Sequence, residues 1–166
     1  MANICTVKGY ICIDDQENAD KLYGGIEAEL EKNNDELDFG GNSTFWDTSV
    51  EQEGCKILLN CCMNWNFDPQ DMKKFVEWML QFVPIEKLKC ELKYEELGLD
   101  ILGKYVLCEG LLEDYFVRWI EFPAYPEIGP DDDAEKIHQE YLNKLYKLAE
   151  AGESEIIHQF NKEDAQ

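Results

Sequence analysis

Carboxylates are the groups in this chain whose type and spacing could do chemistry. Glu95, Glu96 and Asp100 lie close together in the sequence, and paired carboxylates can act as acid and base or hold a divalent cation. The competing reading, which we prefer, is a solvated turn whose side chains order the backbone around Gly98. A second acidic group, Asp131, Asp132, Asp133, Glu135 and Glu140, lies toward the C-terminus. It lacks the D-x-D-x-D-G alternation of a calcium loop and reads instead as the start of a helix. His138 and His158 are separated by twenty positions on a polar stretch, and a nucleophilic pair with a cysteine would need a proximity that no spacing indicates. No catalytic residue, cofactor or metal ligand is therefore assigned, and the acids just named are candidates for binding a partner.

The seven cysteines, Cys5, Cys12, Cys55, Cys61, Cys62, Cys90 and Cys108, are odd in number, lie in apolar runs and contain no C-x-x-C pair. Reduced core thiols in a cytoplasmic protein fit this pattern better than a disulfide framework or a zinc site. The first residues lack the charged and apolar regions of a signal peptide, so none is expected. No apolar run approaches the roughly 18–20 residues that cross a bilayer.

Net charge is −21, from 36 acids against 15 bases. Such a surface repels phosphates, so direct nucleic-acid binding is not expected. It attracts basic protein surfaces, including those that normally hold DNA or RNA, although solubility alone also accounts for acidity. The 45% hydrophobic fraction over 166 residues supports a globular chain with a substantial core.

Hydropathy periods supply the elements that must position these groups. Residues 3–13 alternate as a strand with Cys5, Val7, Gly9, Ile11 and Ile13 facing the core. Asp14 or Asp15 then caps a helix whose stripe is Ala19, Leu22, Ile26 and Leu30, with Gly24-Gly25 marking close packing or a break. A polar loop over 33–42 leads to strands over 43–54 and 55–65, the second of them central. Asp68-Pro69 starts a second helix with Met72, Phe75, Val76, Met79 and Val83 on its stripe, ended by Pro84. Trp46 and Trp65, near strand ends, are expected to pack sheet against helix. Residues 88–109 read as a hairpin turning at Gly98, and 113–122 as a further aromatic strand. Proline-bounded residues 123–130 form a linker, and 134–151 an amphipathic helix on Ile137, Tyr141, Leu145 and Leu148. Ser154 caps a short last piece.

The expected fold is α+β, with a ferredoxin-like split β-α-β antiparallel sheet, two helices on one face, extra C-terminal strands and a C-terminal helix. The expected division is a domain over 1–122 and a linker with an acidic helical tail over 123–166.

Over residues 1–110 the chain resembles the YubB-like, ferredoxin-fold family of plasmid and phage proteins. The resemblance rests on Met1, Asn3 and Cys5, on Trp46-Asp47, on Trp65 before Pro69, and most specifically on Tyr94, Glu96, Gly98, Asp100 and Gly103. It implies a fold and a mobile-element setting rather than a chemistry. The resulting expectation is a non-enzymatic acidic inhibitor that occupies a basic surface of a host nucleic-acid-handling or defence protein, such as a CRISPR effector or restriction enzyme. Alternatives are a small-molecule or divalent-metal binding module using the sheet face or the Glu95, Glu96 and Asp100 cluster, and a homo-oligomer.

Overall fold

The structure is a computed structural model that describes residues 4–40, 44–64, 67–96, 99–117, 121–130 and 132–161. Met1, Asn3, Trp65, Gly98, Arg118 and Asp131 lie outside the described residues, and with them the expected turn at Gly98. The elements run β1 Ile4–Ile13, α1 Gln16–Lys32, β2 Trp46–Glu53, β3 Lys56–Asn64, α2 Pro69–Met79, β4 Leu88–Glu96, β5 Ile101–Cys108, β6 Leu111–Phe116, α3 Ala134–Ala151 and β7 Glu155–Gln159. The fold is α+β. Its strands form one antiparallel sheet in the order β2-β3-β1-β4-β5-β6-β7.

Alternation decides the two faces of that sheet. Val7, Ile11 and Ile13 pair with Cys61, Ile57 and Leu88 or their neighbours in register, and all are buried on the face covered by α1 and α2. Asp15 caps α1 by accepting from the Asn18 amide, and the buried stripe is Ala19, Leu22, Ile26 and Leu30, as the period predicts. The glycine pair does not break the helix. Gly25 lies against the Phe82 ring, where a Cβ would clash, while Gly24 faces open space.

α2 starts as expected, with Asp68 accepting from the Gln70 and Asp71 amides. It stops at Met79, five residues short of Pro84. Gln81 and Phe82 hydrogen-bond three residues back, to the Trp78 and Met79 carbonyls, and this tightened turn carries Phe82 onto Gly25. Val83 is still buried, beyond the helix.

Several expectations need correction. The loop over 33–42 is not wholly polar: Leu37 and Phe39 are buried, and Leu37 bridges to Phe45. Phe45 enters the core cluster while Trp46, the next residue, lies outside both clusters and half-buried. Adjacent strand residues point to opposite faces, so only one of the two could pack on the helices. β6, Leu111–Phe116, starts two residues before the expected 113, because Glu109 and Gly110 both take positive φ, 51° and 78°, and make a two-residue turn that restarts pairing at Leu111; residues 118–120 of the expected strand lie outside the described residues.

α3 forms over the predicted residues and buries Tyr141 and Leu145 of the expected stripe, but rotates so that Leu142, Tyr146 and Ala149 join them in place of Leu148. Tyr141, Leu142, Leu145, Tyr146 and Ala149 are buried, and Leu148 is 40% exposed. They pack with Leu102 and Val117 in a second cluster on the sheet face away from α1 and α2. Polar contacts set the rotation. Lys104 Nζ lies 2.8 Å from Glu150 and 3.3 Å from Glu91. The Tyr146 hydroxyl donates to Glu95 at 3.2 Å, and Lys93 sits over the Tyr146 ring. The last piece is a strand, β7, which pairs with β6, and Phe160 just after it joins the main core.

Candidate functional site

Asp114 is the residue that sequence reading passed over. Period two places it between Leu112 and Phe116, on the face of β6 that packs inward. It is 6% exposed. A buried carboxylate is costly without partners, and Asp114 has one good one: the Tyr94 hydroxyl donates to its Oδ1 at 2.8 Å. The signal available in the sequence was an acid on an apolar strand face, two residues from a leucine on one side and a phenylalanine on the other.

Three strands bring this group together. Tyr94 on β4 and Tyr105 on β5 stack with ring centroids 4.8 Å apart. Tyr105 donates to the Phe67 carbonyl at 2.7 Å, tying β5 to the segment that enters α2. Gly103 on β5 lies between Tyr94 and β6. A Cβ there would collide with the Tyr94 hydroxyl and lie 2.7 Å from the Tyr115 carbonyl. These groups border an open cleft of about 230 Å³, lined by Pro69, Tyr94, Asp100, Tyr105, Asp114 and Glu155 among others.

Burial sets the electrostatics. It pushes the Asp114 carboxyl up to about 6, with the Tyr94 hydrogen bond pulling the other way and Glu155 adding to the rise. Burial, and then the nearby Asp114 charge, pushes the Tyr94 hydroxyl well above the ordinary tyrosine value. Tyr105 is raised by burial and by its neighbours Tyr94 and Asp114. The tyrosines are therefore neutral donors at any physiological pH, and the carboxyl titrates close to it.

The candidates from the sequence are not brought together. Glu95 faces α3 and accepts from Tyr146, whereas Glu96, on the opposite strand face, is 6% exposed with Oε2 lacking a hydrogen-bond partner. Burial raises the Glu96 carboxyl. Asp100 is exposed at φ 52°. The tip at Gly98 that Glu96 and Asp100 are expected to order lies outside the described residues, and among the described residues no group of three His, Cys, Asp or Glu side chains could hold a metal ion. Asp132 accepts from the Gly129 amide at 2.7 Å, and Asp133 caps α3 through the Lys136 amide at 3.1 Å. Glu135 and Glu140 are exposed on α3. His138 meets Tyr125 at 3.2 Å and His158 packs on Phe160, so neither serves a cysteine.

Acidity has its own geography. Residues 14–53 hold thirteen acids and only two lysines. Glu17, Asp20, Glu27 and Glu31 are exposed on α1, and Asp47, Glu51 and Glu53 on β2. Gln52 reaches Asp20 at 2.8 Å, and Gln16 reaches the Gly54 carbonyl at 3.2 Å. The first turns of α1 thus border β2, the strand at one edge of the sheet.

No family model, curated protein or solved structure matches the chain.

Proposed function

We propose that the protein is a non-enzymatic interaction protein whose acidic side, built from α1, the following loop and β2, occupies a basic protein surface. The carrying observation is that α1 borders the edge strand β2 and that Glu17, Asp20, Glu27 and Glu31 on the helix and Asp47, Glu51 and Glu53 on the strand are exposed, within a stretch, residues 14–53, of thirteen acids against two lysines. Opposite charges steer association and set specificity at such interfaces. The unpaired edge of β2 adds a row of backbone donors and acceptors that an extended partner segment can use.

The finer reading is a nucleic-acid mimic carried by a plasmid or phage, directed at a host nucleic-acid-handling or defence protein such as a CRISPR effector or restriction enzyme. The order β2-β3-β1-β4 with α1 and α2 on one face supports a ferredoxin-like arrangement over the first part of the chain. The resemblance of Cys5, Trp46-Asp47, Tyr94, Glu96, Asp100 and Gly103 to the YubB-like family supports the mobile-element setting.

The test is capture from a host lysate at low salt, by wild type and by the triple reversal Glu27→Lys, Glu51→Lys, Glu53→Lys. The wild type is expected to retain a basic nucleic-acid-binding protein that added DNA displaces and that salt weakens steeply. Recovery of no such protein, or equal recovery by the reversed variant, would refute the reading.

A further inference from the structure

The cleft at Asp114 lies on β4 to β7, away from the acidic β2 edge, and its chemistry is narrower than general acidity. Asp114 forms its floor, buried and held through Oδ1 by Tyr94. Among the described residues no hydrogen bond reaches its other oxygen and no basic side chain lines the cleft. Asp100 and Glu155 stand at the mouth, both exposed. Tyr94 and Tyr105, stacked on each other and nearly buried, also line the cleft. We propose that this cleft binds the cationic headgroup of an organic ligand, an ammonium or guanidinium, with Asp114 as its counter-ion.

Other ligand classes fit less well. A volume of about 230 Å³ is below the range of pockets that enclose whole drug-sized molecules, roughly 300–1,000 Å³, so it suits a headgroup or a side chain rather than a nucleotide. An anion would meet three carboxylates. The start of α2 offers it little, because Asp68 already takes the Gln70 and Asp71 amides. An apolar ligand would bury Asp114 further with no compensating charge. A divalent metal needs several oxygen ligands converging on one point, and no such group of side chains occurs among the described residues. A monovalent cation with N–H donors offers Asp114 both a charge partner and a donor for the oxygen that no described residue reaches.

The headgroup could arrive as a free amine or as an arginine side chain of a peptide, and the experiment separates these. Full-length protein is titrated with agmatine, with a blocked arginine-containing tetrapeptide, and with an uncharged alcohol of similar length, following the NMR signals of Tyr94 and Asp114. Saturable shifts with agmatine or the peptide, absent with the alcohol, are expected. Agmatine alone would identify a free amine as the source, and binding of the peptide a protein side chain. Asp114→Asn, which keeps an acceptor for Tyr94, should weaken binding about 10-fold to 100-fold. In case that variant misfolds, the wild type provides a second measurement. Agmatine stays charged between about pH 5 and about pH 8, so its affinity should fall on acidification as Asp114 protonates; Asp100 and Glu155 are the other carboxylates on the cleft, and Tyr94 and Tyr105 stay neutral. Absence of saturable binding at millimolar concentration, equal affinity for folded Asp114→Asn, or affinity independent of pH would overturn the proposal. The acidic-edge reading would be untouched by any of these results.

Discussion

The Tyr94 hydroxyl donates a 2.8 Å hydrogen bond to Asp114 Oδ1, reaching from β4 across β5 to β6 on the buried side of the sheet. One contact thus joins a neutral tyrosine to the carboxylate that is least at ease in the interior. It also gives the strands beyond β4 a specific polar link to the main core.

Asp114 should make stability depend on pH in an unusual direction for an acid. Burial lifts its carboxyl from the ordinary value of 3.8 to about 6. Between these values the native state binds more protons than the unfolded state, so stability falls as pH rises through the window. Above about pH 6 the full penalty applies, on the order of 2–3 kcal/mol at 1.36 kcal/mol per unit. Asp114→Asn removes the charge and keeps an acceptor. In urea unfolding it should exceed wild type by about 2 kcal/mol near pH 7.5, with the gap shrinking toward pH 5. A gap that does not grow with pH would contradict this account.

Gly103→Ala should damage the fold and the cleft together. The added methyl would meet the Tyr94 hydroxyl and the Tyr115 carbonyl, and backbone on an inner strand gives way only with strain. A loss of about 1–3 kcal/mol is expected, measured by thermal or urea unfolding. The Tyr94 resonance should shift even where the variant remains folded.

The face of α3 can be checked with two leucines. Leu145 is fully buried and Leu148 is 40% exposed. Leu145→Ala should cost about 2–3 kcal/mol and Leu148→Ala less than about 0.5 kcal/mol. Equal costs would mean that the stripe read from Ile137, Tyr141, Leu145 and Leu148 is the buried one.

Removing residues 124–166 is expected to yield an aggregating chain rather than a trimmed domain. It takes away α3, which covers Leu102, and β7 with Phe160, a member of the main core. Light scattering and circular dichroism decide this; a well-folded monomer after truncation is the contrary outcome.

Thiol chemistry should sort by burial. Burial pushes the Cys90 thiol up to about 12 and Cys5 to about 11, and raises Cys61 as well. Cys108 is exposed. Because the thiolate is the reactive form, a thiol reagent on native protein should modify Cys108 first and leave Cys5, Cys61 and Cys90 unmodified until denaturant is added. Mass spectrometry of peptides reads the order directly.

How much was legible beforehand varies by element. The buried faces of β1, α1 and β3 follow from residue periods, because each packs one continuous apolar set against the same core. The α2 start follows from Asp68 and Pro69, whose local chemistry needs no tertiary help. The α3 face was legible only in part: Tyr141 and Leu145 are buried as read, but the sequence carries two overlapping apolar stripes, and contacts from Lys104, Glu95 and Lys93 on distant strands accompany the one that is buried. Glu95 and Glu96 looked like one cluster because they are adjacent, yet strand geometry sends neighbours to opposite faces.

The sequence by itself determined the α+β class, the main helices and strands, the inward faces of the early elements and the large negative charge. These are local properties, set by period, capping and composition. Only the tertiary structure decided that β7 completes the sheet, that the acidic helix α1 borders the edge strand β2, and that Asp114 lies beside Tyr94. Those facts depend on which strands become neighbours and in what register. Register is a property of paired strands, and no single segment encodes it.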